Sequence, residues 1–397
     1  MIKLKDVCEF IVDCPHSTAK DEGKGYPLIR TPNIGKGRFN LEGVHRVSED
    51  TYRQRNLRAT PQDNDLIFAR EAPAGNVAII KNGEKFCLGQ RTVLIRPNPQ
   101  LVSPDFLTYF VLAPQQQYGL LGTANGATVA HVNLPTIREL EVDIPPIETQ
   151  HRIADILSAY DDLIENNRKQ IKLLEEAAQR LYKEWFVDLR FPGHEHTKIV
   201  DGVPEGWESC ILDDVIEFDP KVRLDKDRVK QCVPMSALST SSMVLDMNEI
   251  SETTSNSGSK FQNGDTLLAR ITPCLENGKT AFVHGIESDE GAVGSTEYIV
   301  MRSKQLNPYM VYLLSRTNGF RQSAINSMSG SDGRQRVKAD KLKSLAYLRP
   351  PIGLVHSFEQ KVAPVFGMVF TLNKQVFAAT QARDRLVPKL MSGKVEV

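Results

Sequence analysis

The pattern of apolar and polar positions between residues 148 and 190 predicts one long helix. Alternating steps of four and three residues from Ile153 meet apolar or aromatic side chains almost throughout, and the intervening positions are largely charged. At 1.5 Å per residue the helix is roughly 50 Å long. It follows Pro145-Pro146, and we expect Phe191-Pro192-Gly193 to stop it. The seam positions are Ile153, Leu157, Tyr160, Ile164, Asn167, Ile171, Leu174, Ala178, Leu181 and Trp185.

The same spacing recurs 205 residues later, after Pro350-Pro351, and predicts a second long helix over 351–397. Arg383 interrupts this second seam, and Pro388 is expected to kink or end the helix, with Ser392-Gly393 closing it. The seam positions are Phe358, Val362, Val365, Val369, Leu372, Val376, Ala379, Arg383, Leu386 and Leu390.

Each apolar seam has to be buried, and the nearest partner for one seam is the other. Because the chain is a tandem repeat, a pseudo-two-fold axis is expected, and such an axis makes the paired helices an antiparallel coiled coil. Asn167, the polar residue of the first seam, has two open interpretations. It either fixes the register of the pair or is tolerated near solvent.

Short strand-like runs divided by turns fill the two segments outside the helices. Residues 77–80 read as a strand before a hairpin turn, 92–96 and 297–302 as equivalent strands, and 105–112 and 308–314 as equivalent short helices. The predicted fold class is therefore mixed α+β. We expect a first domain at 1–147, a central helix at 148–190, a second domain at 191–350 and a C-terminal helix at 351–397.

Internal repetition supports this division. The ten residues that begin at Asn64 reappear, with similar chemistry, in the ten that begin at Gly264. Each copy ends a hydrophobic run with an arginine, Arg70 or Arg270. These arginines either reach a phosphate or form, with the aspartate of the repeat, a structural turn. We favour the structural turn, because shared residues cannot explain different specificities.

A polar, glycine-containing loop precedes the last strand of each copy, and its sequence differs between the copies. Such loops are where two similar scaffolds would differ in specificity. The second loop has side chains that can read base edges, since Arg pairs with guanine and Gln with adenine. A solvated surface loop is the alternative. The candidate residues are Asn125 and Thr128 in the first loop and Arg334, Gln335, Arg336 and Lys338 in the second.

Composition narrows the classes of function. Basic and acidic residues balance at 49 each, so strong binding to nucleic acid is expected to need a partner with more positive surface. The six cysteines are scattered, without a CxxC pair, as in a reduced cytoplasmic protein. We expect no membrane association. Gly278-Lys279-Thr280 lacks the earlier glycine of a phosphate-binding loop, and no metal or catalytic motif is present.

Several motifs together resemble the DNA-specificity subunits of type I restriction–modification systems. The most specific stretch runs from Ile144 to Phe186, and Val203-Pro204-Glu205-Gly206-Trp207 is similar to the family's lead-in to its second target-recognition domain. Leu88-Gly89-Gln90-Arg91 matches a frequent strand element of those domains, which adds Gln90 and Arg91 to the candidate DNA contacts. The second copy has Gly294-Ser295-Thr296 instead.

The resemblance implies a non-catalytic protein in which each domain reads one half of a split double-stranded DNA site. The helices would act as spacer and as platform for two modification (methyltransferase) subunits, with restriction or translocase subunits outside them. S-adenosylmethionine and ATP would then be bound by the partners, and no cofactor by this chain. Two alternatives stay open: a coiled-coil adaptor that does not bind DNA, and a nucleotide-dependent enzyme built on residues 278–280.

Overall fold

A computed structural model of the chain describes residues 2–122, 131–331 and 333–397. The chain divides into two compact units. Unit 1 comprises Met1–Ile164 and Ala378–Val397, and unit 2 comprises Glu165–Phe377. Both units mix helices with antiparallel and parallel strand pairs, so the expected mixed α+β class is observed.

Unit 1 is built on a four-stranded antiparallel sheet of order β2-β8-β5-β6. A second sheet of order β4-β3-β7 contains one parallel pair, β3 with β7, and β1 pairs with β9. The strands are β1 (Ile2–Lys3), β2 (Cys8–Asp13), β3 (Tyr26–Ile29), β4 (Arg46–Val47), β5 (Leu66–Ala69), β6 (Val77–Ile79), β7 (Cys87–Leu88), β8 (Thr92–Pro97) and β9 (Glu141–Val142). The helices that begin in this unit are α1 (Glu49–Arg55), α2 (Pro104–Leu112), α3 (Pro114–Leu121), α4 (Leu134–Arg138) and α5 (Ile147–Tyr182).

Unit 2 repeats this topology. Its antiparallel sheet has the order β13-β20-β17-β18, and its second sheet, β15-β14-β19-β16, again contains one parallel pair, β14 with β19. The strands are β10 (Ile199–Val200), β11 (Val203–Pro204), β12 (Glu208–Ile211), β13 (Ile216–Phe218), β14 (Lys230–Val233), β15 (Ser251–Thr253), β16 (Ser259–Phe261), β17 (Thr266–Ala269), β18 (Thr280–Phe282), β19 (Ala292–Gly294), β20 (Tyr298–Ser303) and β21 (Ala346–Arg349). The helices are α6 (Leu212–Val215), α7 (Pro308–Ser315), α8 (Asn318–Asn326), α9 (Ala339–Lys343) and α10 (Ile352–Met391).

The strands and helices predicted from the repeats are confirmed. β6, β8 and β20 lie at the predicted strands, and α2 and α7 lie at the predicted short helices. Ser103 and Asn307 begin those two helices by accepting a hydrogen bond from the backbone three residues later. The peptide bonds before Pro73 and Pro273, at the end of the repeated element, are both cis.

Both long helices exist. The first ends as an α-helix at Tyr182 and continues as one π-helical turn, Lys183–Val187, so it ends before Phe191. Pro388 is expected to kink or end the second helix, and the helix does not end there, since α10 continues to Met391. Pro388 lies in the last turn, where a missing N–H costs only one helical hydrogen bond. Gly393, with φ of 66°, then lies in the left-handed conformation typical of a helix C-terminus.

In unit 1, the start of α5 and the end of α10 complete the core. Ile153, Leu157, Val387 and Leu390 are buried in one cluster with the apolar face of α2. Arg383, which interrupts the predicted seam, forms an ion pair with buried Asp161.

In unit 2, the rest of the two helices run in opposite directions. Asn167 donates its Nδ2 hydrogen bond to Gln375 Oε1 at 3.0 Å, and the rings of Tyr182 and Phe358 lie 5.9 Å apart. Because Asn167 is buried and bonded, its polar side chain is not simply tolerated near solvent.

Burial along the seams follows the predicted spacing with local slips of one residue. Fully buried Phe366 replaces half-buried Val365, and likewise Tyr182 is more buried than Leu181 and Val387 more than Leu386. The predicted seam residues that are buried are Ile153, Leu157, Ile164, Asn167, Ile171, Ala178, Trp185, Phe358, Val362, Val369, Leu372, Val376, Ala379 and Leu390. Those that are half-buried are Tyr160, Leu174, Leu181, Val365, Arg383 and Leu386.

By length and composition alone, α10 is apolar enough to cross a membrane. A helix packed in a protein core passes the same test. Val362, Phe366 and Val369 of α10 are each at most 1% exposed. Phe366 lies 4.6 Å from the ring of Tyr309 and 5.3 Å from that of Phe282. The apolar residues of α10 therefore contribute to protein packing.

Candidate nucleic-acid interface

One backbone frame recurs where the repeated element ends in each unit. In unit 1, the Arg70 N–H donates to the Arg91 carbonyl at 3.0 Å, and the Val132 N–H donates to the Arg70 carbonyl at 2.9 Å. In unit 2, the Arg270 N–H donates to Glu297, and the Val337 N–H donates to Arg270. Position 91 therefore corresponds to 297 and position 132 to 337.

The residue before each of these valines completes the frame. His131 forms an isolated β-bridge with Glu71, and Arg336 forms one with Ile271. The frame thus carries Glu71, Arg91 and His131 in unit 1 but Ile271, Glu297 and Arg336 in unit 2. The same backbone presents two different sets of side chains.

Arg70 is held by protein atoms on three sides. Its guanidinium donates to the Val132 carbonyl at 2.9 Å and to Asp13 Oδ2 at 2.7 Å, and its Nη2 lies 2.9 Å from His131 Nε2. Its side chain is only 12% exposed. This geometry matches the structural interpretation of Arg70 but changes its partner, which is Asp13 and not the aspartate of the repeated element.

That aspartate has a different role. Asp65 accepts two hydrogen bonds from Arg96, at 2.8 and 2.7 Å, and also one from the Gln62 N–H. In unit 2, Asp265 accepts the equivalent pair from Arg302. The repeated aspartate therefore ties neighbouring strands together and does not contact the repeated arginine.

Glu71 links two other side chains of unit 1, His131 and Arg91. His131 Nδ1 lies 2.7 Å from one Glu71 oxygen, and Arg91 Nη1 lies 2.7 Å from the other. Because a guanidinium only donates, His131 Nε2 acts as acceptor toward Arg70, and Nδ1–H is donated to Glu71. Arg91 remains 56% exposed and has a left-handed backbone with φ of 65°.

Gln90 and Arg91 are positioned by the glycine before them. A Cβ on Gly89 would lie 2.3 Å from the Ile29 carbonyl oxygen, so only glycine fits there. Gln90 accepts a hydrogen bond from Thr18 Oγ1 at 2.9 Å and is half-buried. Gly294 occupies the equivalent position in unit 2, where a Cβ would lie 2.6 Å from the Val233 carbonyl oxygen.

In unit 2, Glu297 and Arg336 form the central ion pair, with Arg336 Nη2 2.6 Å from Glu297 Oε1 and Nε also bonded. These hydrogen bonds are the main reason that the pKa of Glu297 is lowered, and the charges of Arg336 and Arg270 lower it further. Arg270 Nε is buried and has no hydrogen-bond partner within the part of the chain that is described. The Glu297 carboxylate therefore pairs with Arg336 and also feels the charge of Arg270, whereas unit 1 balances Arg70 and Arg91 against Asp13 and Glu71.

The other predicted residues of unit 2 lie on a hairpin closed by backbone hydrogen bonds between Ser329 and Arg336. Arg334 is exposed at its tip, and its carbonyl accepts a 3.4 Å contact from Arg336. Gln335 is half-buried and accepts a backbone hydrogen bond from Thr272. Lys338 is exposed directly before α9. Asn125 and Thr128 lie outside the described residues.

Sequence reasoning missed the acidic partners Asp13 and Glu71, and also His131 and Glu297. The single signal for His131 and Glu297 was the register of the repeat, which aligns them with Arg336 and Arg91. No motif pointed to the acids, because their partners lie far away in the sequence and meet them only through strand pairing.

No side-chain group suited to a metal is found within residues 2–122, 131–331 and 333–397. The Gly278-Lys279-Thr280 segment also lacks the geometry of a phosphate-binding loop. Lys279 Nζ donates to the Met235 carbonyl at 2.8 Å, and Thr280 begins strand β18 instead of a helix. Apart from Ile271, the frame residues have side-chain hydrogen-bond donors or acceptors suited to recognition.

Comparison with known proteins agrees with this picture. Residues 1–176 match the type I restriction modification DNA specificity domain. The chain is 27% identical to the type I restriction enzyme MjaIX specificity subunit of Methanocaldococcus jannaschii, over all of this chain and 93% of the relative. It is 19% identical to the HindI specificity subunit of Haemophilus influenzae, over 83% of this chain and 86% of the relative.

The fold also has a solved counterpart. The crystal structure of a type I restriction–modification S subunit from M. genitalium aligns with a TM-score of 0.56 at 15% identity, over 98% of this chain and 95% of that one. This similarity concerns the fold alone. The domain match over residues 1–176 and the relatives that align along most of the chain lead to one conclusion: the chain is similar to the DNA-specificity subunits of type I restriction–modification systems.

Proposed function

We propose that each unit reads one half of a bipartite DNA site through the side chains on its recurrent backbone frame. The observation that carries this proposal is the frame itself, which presents Glu71, Arg91 and His131 in one unit and Ile271, Glu297 and Arg336 in the other. Similar backbones with different donors and acceptors would dock alike and recognise different bases.

Arg91 and Arg334 are the leading candidates for base contact. Arg91 is more than half exposed although it is paired with Glu71, and Arg334 is exposed at a hairpin tip. A guanidinium can donate two hydrogen bonds to the O6 and N7 atoms of guanine. Arg336 is engaged by Glu297 and would instead hold the hairpin in position.

The long helices serve, in this proposal, as an antiparallel coiled-coil spacer and as a platform for two modification subunits. Each helix contributes residues to both units, and each carries an extended apolar seam. The chain itself is a non-catalytic component. S-adenosylmethionine and ATP would be bound by the modification subunits and by any restriction subunits, which would also add phosphate contacts that a chain of zero net charge provides only sparsely.

Exchanging one domain tests directly whether each unit recognises its own half of the DNA site. Residues 1–147 would be replaced by those of a relative of different specificity, and the methylated sequence mapped by long-read sequencing in a host with the cognate modification subunits. We expect one half of the methylated site to change and the other to persist. A change in both halves, or in neither, would contradict the assignment of one half-site to each unit.

A point substitution separates DNA reading from the adaptor alternative, which the family match does not support. Arg334→Ala should relax or abolish methylation at one base of the half-site assigned to unit 2. It removes an exposed donor, and the contact of Arg334 with Arg336 is made by the backbone carbonyl, which alanine keeps. Arg228→Ala is the control, since this arginine of unit 2 lies outside the long helices, is 71% exposed and pairs with Glu290 and Asp225. An adaptor would leave methylation unchanged in both variants.

A further inference from the structure

The turn that connects β17 and β18 is contacted by two arginines, at the end of α7 and in α8, that the recurrent frame does not include. The hairpin that Ser329 and Arg336 close is called here the reading hairpin. The turn, residues 271–279, lies against it, because the Thr272 N–H donates to the Gln335 carbonyl at 3.0 Å. Whatever binds on this turn would therefore adjoin the hairpin that presents Arg334.

Arg316 and Arg321, called here the arginine pair, converge on Gly278 of this turn. Arg316 Nη1 donates to the Gly278 carbonyl at 2.7 Å and also contacts the Thr240 carbonyl at 3.2 Å. Arg321 Nη2 donates to the Glu276 carbonyl at 3.1 Å. A Cβ built on Gly278 would lie 2.9 Å from the same Arg321 nitrogen, so both guanidinium groups reach one glycine.

In unit 1, the corresponding turn is held by an uncharged side chain. The Ala69 N–H donates to Asn76 and the Ala269 N–H donates to Lys279, which makes Gly75 the counterpart of Gly278. The Gly75 carbonyl accepts its hydrogen bond from the Gln117 amide at 2.9 Å. A neutral amide is thus sufficient to hold this turn, and two adjacent cations are not needed for that purpose.

The arginine pair is electrostatically unfavourable without a ligand. Burial, followed by the charge of Arg316, lowers the pKa of Arg321. Arg321 Nε is buried without a hydrogen-bond partner, and no residue in the described ranges forms an ion pair with either arginine. The nearby Glu276 carboxylate accepts from Thr272 Oγ1 at 3.3 Å. Like charges with an unused donor suit an anion that carries several acceptor oxygens.

We propose that Arg316 and Arg321 form a phosphate-binding site for the DNA backbone beside the reading hairpin of unit 2. This inference rests on the proposed function, since it takes the anion to be a phosphate of the recognised duplex. The site would contribute affinity and docking register but no base preference. Unit 1, with Gln117 in place of a cation, would lack the equivalent contact.

The salt dependence of DNA binding tests the site. The full chain, with its cognate modification subunits, would be titrated against a fluorescein-labelled mixed-sequence duplex at several salt concentrations. Each phosphate contact contributes about 0.9 to the slope of log K against log salt. Arg321→Gln should reduce the slope by about that amount, and adding Arg316→Gln, which copies the amide of unit 1, should reduce it by about twice as much. Arg321→Lys should restore most of the slope, and the methylated sequence should remain unchanged in all three variants.

Arg228→Gln is the matched control, because Arg228 is an exposed arginine of the same unit that pairs with Glu290 and Asp225. Its slope should equal that of the unsubstituted chain. If the unsubstituted chain binds DNA but Arg321→Gln leaves the slope unaltered, the phosphate site is refuted while the proposed function stands. If Arg321→Gln weakened the binding of inorganic phosphate but left the salt slope of DNA binding unchanged, the proposed DNA-phosphate site would also be refuted. Failure of the unsubstituted complex to bind any duplex would refute both proposals.

Discussion

Arg383 Nη1 lies 2.5 Å from Asp161 Oδ1 in unit 1, and the two side chains are only 13% and 2% exposed. The other Asp161 oxygen accepts a 2.6 Å hydrogen bond from the Tyr109 hydroxyl. The charge that interrupts the second apolar seam is therefore neutralised by a buried acid next to the first seam. Tyr109 connects this pair to α2.

Breaking the Asp161–Arg383 pair should destabilise unit 1 strongly. Arg383→Met leaves the buried Asp161 carboxylate with the Tyr109 donor and the charge of Arg38 but without its ion-pair partner, and such losses cost about 3–5 kcal/mol. Adding Asp161→Leu should recover most of that loss, because no charge is then left buried. Both tryptophans lie in unit 2, so hydrogen–deuterium exchange of residues 2–122 is the suitable measurement. Equal exchange in the single and double variants would show that the pair is not the cause.

Gly294 should tolerate no side chain. In Gly294→Ala the new Cβ would lie 2.6 Å from the Val233 carbonyl oxygen and 2.8 Å from Tyr298 Cε2, so strands β14 and β20 have to shift. We expect a loss of about 1–3 kcal/mol in the free energy of unfolding of unit 2. Tryptophan fluorescence during urea unfolding measures it.

Gly367→Ala is the opposite case and serves as the comparison. Gly367 lies in the middle of α10, and a Cβ added there would have no neighbouring atom within 4 Å, so alanine adds helix propensity without a clash. The same fluorescence measurement should show a gain of about 0.5–1 kcal/mol. A gain at Gly294, or a loss at Gly367, would contradict the packing described for these glycines.

Two thiols of unit 1 should resist alkylation in the folded protein. Burial raises the pKa of Cys8 to about 12 and that of Cys87 to about 11, against an ordinary value of 9.0. Since the thiolate is the reactive form, its population falls about a thousandfold and a hundredfold. Iodoacetamide labelling near pH 8, read by mass spectrometry, should modify half-buried Cys232 and Cys274 before Cys8 and Cys87. Labelling in urea controls for intrinsic reactivity, and fast modification of native Cys8 would disprove the assignment.

Acid should release the Glu297–Arg336 pair. Folding lowers the pKa of Glu297, chiefly through hydrogen bonds from Arg336, so the pair stabilises unit 2 fully above the unfolded value of 4.5. That stabilisation is lost as the pH falls through the lower folded-state pKa. The difference in unfolding free energy between the unsubstituted chain and Glu297→Gln should be constant near neutral pH and shrink in acid. A difference that grows as the pH falls would reverse the sign of this linkage.

The repeat and the heptads were readable from sequence because both are periodic. The one-residue slips at Phe366, Tyr182 and Val387 were not, since an α-helix has 3.6 residues per turn and drifts from a strict seven-residue repeat. The role of Arg383 was also hidden, because its partner Asp161 lies one position beyond the seam. Its neutralisation depends on contacts with the rest of unit 1.

At the candidate interface, residue types were readable but their partners were not. Arg70 and Arg270 are identical in the repeat, yet one is fully engaged and the other has a free Nε. Arg70 Nε donates to the Val132 carbonyl, and Asp13, placed by the pairing of β2 with β8, accepts from Nη1 of the same side chain. Strand register, which no local pattern encodes, therefore decides which arginines are available for a ligand.

Unit 1 takes its last core residues, Val387 and Leu390, from a segment that lies more than 200 residues beyond Ile164. While the ribosome is still synthesising unit 2, the nascent unit 1 lacks Val387 and Leu390. Asp161 also lacks its ion-pair partner Arg383. Unit 1 would thus complete its fold only after translation has passed Leu390. A chain terminated before that point would lack the end of α10 and, with it, a fully folded unit 1.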